Sequence, residues 1–300
     1  MNIIKIHDRS FSHEPNFIQN SNKVTYLRNI KEGGQPVQVV KDDIVIYTDN
    51  CLGEINPIAK KNIALLIESQ EIHRHCYNYI ENHNKEFNLV LTFDKKLLDK
   101  GENYKLNLYG TTWLNEIYRT IWPKSKMCSF IISNKNYTSG HRLRHVIATA
   151  LTYAPINNID IYGGNYKQLQ FTQTKNFDSN HSPQDISNQK ILGLKDYMFS
   201  IVIENCKEDY YFTEKLIDCF LTGTIPIYYG CPSISKFFNE KGILTFSTPQ
   251  ECFNILKTLT SENYYELKYN EMMPYIKDNF ERAQQYTNFK INEEEILNLL

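Results

Sequence analysis

The stretch from Tyr197 to Tyr229 constrains the fold of this chain more than any other. Tyr197–Glu204 (YMFSIVIE) is an apolar run of strand length, and a polar loop follows it. Thr213 stands where an N-cap is wanted, ahead of a short helix predicted over Glu214–Thr222. Leu216, Ile217, Phe220 and Leu221 supply the apolar face of that helix, and Gly223 is placed to stop it. Thr224–Tyr229 (TIPIYY) reads as the next strand, and Gly230-Cys231-Pro232 turns the chain. Strand, loop, helix and strand make a βαβ unit. Its loop lies at the carboxyl end of the first strand, where open α/β sheets bind ligands.

The remaining chain repeats this alternation. Asn2–Ile6, Asp43–Tyr47, Asn62–Glu68 and Phe87–Phe93 read as strands, Glu71–Glu81 as a helix, and Glu32–Pro36, with Gly33 and Gly34, as a turn. A second unit is expected to begin near Met127. It comprises a strand over Met127–Ser133, a helix over His141–Leu151, and a strand over Ile159–Tyr162 that ends in Gly163-Gly164. Residues 165–194 are polar and read as loops with short helices. Ser261–Met273 and Tyr275–Tyr286 read as two helices, or as one kinked at Pro274. Strands alternating with helices predict α/β layering on mainly parallel sheets. A length of 300 residues is enough for two domains of about 150 residues each.

Composition narrows the function classes. With 33 basic and 34 acidic residues the net charge is −1, which argues against a general nucleic-acid binder. No apolar run reaches the roughly 18 residues of a membrane span, and the N-terminus lacks a signal-peptide core. Seven cysteines at irregular spacing, with no CxxC pair, read as reduced thiols. These features together predict a cytoplasmic protein without an integral membrane segment.

Residues 198–246 carry Glu204-Asn205, Tyr211, Thr213-Glu214-Lys215, Gly223–Pro226 and Gly230-Cys231-Pro232. Their order and spacing resemble the donor-domain signature of the family 10 α1,3/α1,4-fucosyltransferases. Three fainter similarities extend the resemblance: Ile67-Glu68-Ser69 followed by Phe87–Leu91, Ser133-Asn134 followed by Arg142, and Tyr109-Gly110. The resemblance implies a GT-B fold, two Rossmann-like domains facing across a cleft. The expected division is an acceptor-side domain over residues 1–124, a nucleotide-sugar donor domain over 125–285, and a C-terminal helix over 286–300 packing back on the first domain. The implied activity is an inverting glycosyltransferase that moves L-fucose from GDP-fucose to a glycan hydroxyl on protein or lipid. The GDP-sugar is a co-substrate, and no metal or other cofactor is expected. Two alternatives stand beside this: a transferase of the same fold using another nucleotide sugar, and an inactive carbohydrate-binding relative. Loss of Lys215, Glu214 or the base would mark the inactive relative, and all three are present.

Glycosyl transfer needs a base for the acceptor hydroxyl, cations or amides for the departing diphosphate, and polar groups for ribose and sugar. Lys215 in the first turn of a helix opposes the helix dipole, and an anion bound at that helix start would offset the cost. The resemblance implies that Glu214 reads donor hydroxyls, with Asn205 and Tyr211 touching the donor or bracing the loop. Glu204 reads as structural. Arg142 and Arg144 lie two apart and so on different helix faces, which leaves one of them for phosphate. Register from Ser133-Asn134 favours Arg142 and leaves Arg144 open. Glu68, at the carboxyl end of an apolar strand, is the expected catalytic base, with Glu71 as the alternative. Gly163-Gly164 offers either an anion nest or a plain turn. No HExxH, Asp-x-Asp or Cys/His zinc spacing occurs, so no metal ligand is assigned.

Overall fold

The computed structural model describes residues 2–8, 20–28, 38–101, 103–153, 156–163, 174–176 and 183–300. The turn expected at Glu32–Pro36, the glycine Gly164 and most of the polar stretch after it lie outside these residues. The chain forms two compact units. One holds Met1–Tyr109, Asp209–Tyr211 and Asn288–Leu300; the other holds Gly110–Glu208 and Phe212–Thr287. Each is built on a six-stranded sheet whose pairings are all parallel.

The first unit contains β1 (Asn2–His7), β2 (Val24–Arg28), β3 (Ile44–Thr48), β4 (Lys61–Leu65), α1 (Gln70–His83), β5 (Leu89–Thr92), α2 (Lys95–Leu98) and β6 (Tyr104–Leu106). Its strand order is β2-β1-β3-β4-β5-β6. All five residues of β3 are buried, as expected of a parallel strand covered on both faces. Alternate side chains serve the two faces. Ile46, Ile63, Leu65 and Leu91 pack with Phe289, Ile291 and Ile296 of the C-terminal segment, while Val45, Ala64 and Val90 pack with Cys76, Tyr77 and Ile80 of α1.

The second unit contains β7 (Lys126–Ile132), α3 (Ser139–Tyr153), β8 (Ile159–Gly163), β9 (Thr174–Asn176), α4 (Pro183–Lys190), β10 (Tyr197–Ile203), α5 (Glu214–Thr222), β11 (Ile225–Tyr229), β12 (Leu244–Thr245), α6 (Pro249–Thr260), α7 (Tyr264–Glu271) and α8 (Met273–Ala283). Its strand order is β12-β11-β10-β7-β8-β9. The earliest strand, β7, stands at the centre and later strands leave in opposite directions, the order of a dinucleotide-binding Rossmann sheet. The order reverses between β7 and β10. That switch point is where such sheets bind ligands, and the loops leaving these two strands carry the candidate donor residues.

By contact, residues 110–124 belong to the second unit. The Thr112 hydroxyl and the Trp113 amide both donate to Asp218, and the Lys124 ammonium donates to the carbonyls of Leu194, Lys195 and Thr222. A helix not expected from the sequence, α6, is capped by Thr248 and carries Pro249 in its first turn. Pro274 likewise sits in the first turn of α8, so it starts a helix rather than kinking one. Among the described residues no helix is long and apolar enough to cross a membrane.

Candidate active site

The βαβ unit forms as its sequence predicts. The Thr213 hydroxyl accepts from the Lys215 amide and caps α5. Gly223 ends the helix at φ 71°, a left-handed conformation that favours glycine, and its N–H reaches the carbonyls of Cys219 and Phe220. The loop between β10 and α5 is held from beneath by Glu204, which is fully buried. Its carboxylate accepts from the Thr213 amide at 2.9 Å and from the Thr213 hydroxyl at 2.7 Å. Glu204 is therefore part of the scaffold.

Around this brace lies a cluster of buried charge. Lys215 Nζ donates to Glu214 Oε1 at 3.0 Å and to the Thr213 hydroxyl at 3.1 Å, and lies 3.9 Å from Glu204. Lys190, which the sequence reading missed, sits 2.5 Å from Asp218 and 3.8 Å from Glu214. Three buried carboxylates thus share two lysines, and of these five side chains only that of Lys215, 26% exposed, has substantial access to solvent. Burial pushes the Glu204 carboxyl up, with Lys215 opposing. Burial also pushes Asp218 up, with Lys190 opposing. Burial acts on Glu214 in the same sense, but Lys215 and then Lys190 outweigh it and bring its pKa down to about 2. Glu214 is therefore an ionised acceptor at the start of α5.

The helix after β7 completes this end of the sheet. The Gly140 amide donates to the Asn205 carbonyl at 3.0 Å. A Cβ on Gly140 would lie 1.8 Å from the Glu204 carbonyl oxygen, so this approach of α3 to the loop requires glycine. Arg144 is buried and directs its guanidinium to the Ile203 carbonyl, at 2.5 and 2.9 Å, and to the Asn205 side-chain oxygen at 2.9 Å. Arg142, favoured by register, instead lies on the exposed face of α3 and donates to the Tyr137 carbonyl. Residues two apart on a helix face opposite ways, and the inward one is Arg144.

Glu68 belongs to the first unit. β4 stops at Leu65, so Glu68 lies in the short loop between that strand and α1 rather than in the strand. Its loop is clamped by Asp49, a residue the sequence reading did not single out. Asp49 Oδ1 accepts from the Ile67 amide at 3.0 Å, and Oδ2 accepts from the Glu68 amide at 3.1 Å. The Tyr77 hydroxyl donates to the Glu68 carbonyl at 2.8 Å. Burial raises Asp49 to about 8, against the pull of the Ile67 amide. An acid directly after the apolar run of β3 was a signal for Asp49, by the reasoning that selected Glu68. Tyr211 also belongs to this unit. It is buried beside Phe93, and its hydroxyl donates to Glu68 Oε2 at 3.3 Å. Glu71 is exposed in the first turn of α1. The expected residues thus form two groups: Asn205, Glu214, Lys215 and Arg144 in the second unit, and Glu68 with Tyr211 in the first.

The model of the family described as glycosyltransferase family 10 (fucosyltransferase) C-term matches residues 121–291, more than half of the chain. The α-(1,3)-fucosyltransferase FucT of Helicobacter pylori is 40% identical over 76 residues, which cover 24% of this chain and 16% of that protein. The match thus spans under a fifth of the relative's own length. A solved α1,3-fucosyltransferase is similar in fold, with a TM-score of 0.52 and 19% identity over 95% of this chain and 89% of that one. Anabaena HepE, solved with UDP-glucose, has a TM-score of 0.58 and 13% identity over 92% and 86% of the two chains. These likenesses make the fold GT-B, with two Rossmann-like units.

Proposed function

The chain belongs to glycosyltransferase family 10 (fucosyltransferase), and on that premise we propose that it transfers L-fucose from GDP-fucose to a glycan hydroxyl, with inversion and without a metal ion. The observation that carries this reading is the start of α5. There Lys215, the one partly exposed cation of a buried charge cluster, stands among the first amides of a helix at a Rossmann switch point. A diphosphate bound there would meet a charge-assisted donor worth about 1.5–3 kcal/mol. Glu214 would accept from sugar or ribose hydroxyls. Arg144 would hold Asn205 and the loop in register, a positioning role. Glu68 would take the proton of the acceptor hydroxyl, with Asp49 fixing its backbone and Tyr211 its carboxylate. A family 10 acceptor on protein or lipid fits this chemistry. Seven buried thiols, none in a disulfide, support a reducing, cytoplasmic setting.

A second reading keeps the fold and changes the sugar nucleotide, since lysine and helix amides read a diphosphate whatever sugar it carries. The UDP-glucose held by HepE is the observation that favours it. One experiment separates the two. The chain is offered GDP-fucose, GDP-mannose, UDP-glucose and UDP-N-acetylglucosamine, and released nucleotide is measured with and without EDTA. GDP release from GDP-fucose should dominate and should persist in chelator. Preference for a UDP-sugar would replace the donor. Loss of rate in EDTA that Mg²⁺ or Mn²⁺ restores would overturn the metal-free mechanism.

A further inference from the structure

His73, His75 and Cys76 follow one another on α1, in the sequence His-Arg-His-Cys. In a regular helix, positions i and i+2 face opposite ways and cannot share a ligand. The helix is irregular here. His73 has φ −121° and ψ 48°, outside the helical region. Its ring stacks on that of His75 with centroids 5.6 Å apart and planes 26° apart. One ligand atom from each of the three residues lies within 4.8 Å of the others. Cys76 Sγ is 3.3 Å from His75 Nε2 and 3.8 Å from His73 Nδ1. A fourth donor comes from the 3-10 turn Asp49–Glu54, where Asn50 Oδ1 lies 2.9 Å from His75 Nε2 and 3.9 Å from Cys76 Sγ.

A tetrahedral zinc ion with bonds of about 2.0–2.3 Å holds its donors roughly 3.3–3.8 Å apart. The two separations between Cys76 and the histidines, 3.3 and 3.8 Å, fall in that range, and the two Asn50 separations, 2.9 and 3.9 Å, lie just outside it. We propose that His73, His75 and Cys76, with the Asn50 side-chain oxygen, form a site for a d-block divalent cation such as zinc. Two imidazoles and a thiolate suit zinc, whereas magnesium and calcium take oxygen ligands. The neighbouring trio His7, Cys51 and Glu54 carries no such proposal: His7 Nε2 and Glu54 Oε2 lie 2.5 Å apart, well inside the spacing of two donors on one zinc ion. An ion at the α1 site ties that helix to the turn that follows β3. Asp49, beside Asn50, and Tyr77, beside Cys76, are the two residues that clamp the Glu68 loop. Occupancy therefore stiffens the loop without supplying a ligand to the donor.

The test uses the whole chain, without a histidine tag and stripped of metal. Zinc is titrated in competition with a chromophoric chelator, and cobalt(II) serves as the spectroscopic probe. One zinc per chain should bind at micromolar affinity or tighter. The cobalt adduct should show intense tetrahedral d–d bands and a sulfur-to-cobalt charge-transfer band. Cys76→Ser should abolish the charge-transfer band. His75→Ala, at an exposed position where the fold tolerates change, should weaken zinc at least tenfold. Absence of stoichiometric binding would overturn the proposal. So would parental zinc affinity in both His75→Ala and Cys76→Ser, since the ion would then sit elsewhere. The outcome is separable from the donor chemistry. A chelator-induced loss of thermal stability that zinc restores and Mg²⁺ does not supports this site, whereas Mg²⁺ or Mn²⁺ dependence of turnover concerns the transfer reaction.

Discussion

Lys215→Met tests the buried charge cluster and the donor reading together. Methionine keeps the length of the stem and removes the charge. In the parent chain Glu214 is held at about 2 in place of its ordinary 4.5. At about 1.4 kcal/mol per tenfold, that amounts to about 3 kcal/mol in favour of the ionised folded state. Lys215 is the largest favourable partner of Glu214, and Lys190 remains 3.8 Å away. The variant should therefore lose about 2 kcal/mol at neutral pH. The sign with pH follows from the depressed pKa. The stability from Glu214 is fully present above about 4.5 and disappears as pH falls toward about 2. The gap between parent and variant should accordingly be widest at pH 7 and close on acidification through that window. Urea unfolding at pH 7, 5 and 3 measures it. Equal stability at pH 7, or a gap that stays constant with pH, would refute the ion cluster as drawn. On the same preparations kcat/KM for the donor should fall tenfold or more, with Lys215→Arg intermediate.

Glu68→Gln keeps the shape and removes the basicity. Transfer should fall by ~10²–10⁴ while GDP affinity by calorimetry stays unchanged, and transfer within a few-fold of the parent would pass the role to Glu71. Gly140→Ala drives a methyl into the Glu204 carbonyl and should cost about 3 kcal/mol or leave the chain unfolded, read as a fall in Tm; an unchanged Tm would mean α3 does not approach the loop this closely. Arg144→Lys gives up the guanidinium fork to Ile203 and Asn205 and should lower stability by about 1–3 kcal/mol and raise the donor KM, whereas Arg142→Ala should do neither. The reverse ranking of the two arginines in donor kinetics would restore Arg142 to the site.

What the sequence made legible is local. The cap at Thr213, the stop at Gly223 and the apolar face of α5 all lie within a few residues of one another, so period and punctuation suffice to find them. The alternating strands of both units are read in the same way. Residues joined only by the fold stay hidden. Lys190 meets Asp218 across 28 positions of sequence, and Thr112 meets the same carboxylate across 106. No window contains both partners. Which of Arg142 and Arg144 turns inward was hidden for a related reason, because register along the chain does not say which face of α3 is buried. The helix Pro249–Thr260 was within reach, since Thr248, Pro249, Glu251 and the apolar Cys252, Leu256 and Leu259 spell a capped amphipathic helix.

The charge balance at the switch point bears on how a donor would enter. Glu204, Glu214 and Asp218 are buried against two lysines, and Lys190 is committed to Asp218 at 2.5 Å. A diphosphate arriving at α5 therefore competes with Glu214 for Lys215. Once Lys215 turns to phosphate, Glu214 keeps Lys190 at 3.8 Å and the Thr213 side chain, and burial again pushes its carboxyl upward. Its pKa should rise from about 2 on binding, and the complex should take up a fraction of a proton where free and bound states differ in protonation. At pH 7 both states are ionised and no uptake is expected. Near pH 4 uptake should be measurable as a dependence of the GDP binding enthalpy on the ionisation enthalpy of the buffer. Glu214→Gln should abolish it while leaving Lys215 free to bind. Uptake that persists in that variant, or none in the parent at pH 4, would mean that Lys215 does not leave Glu214 for the phosphate.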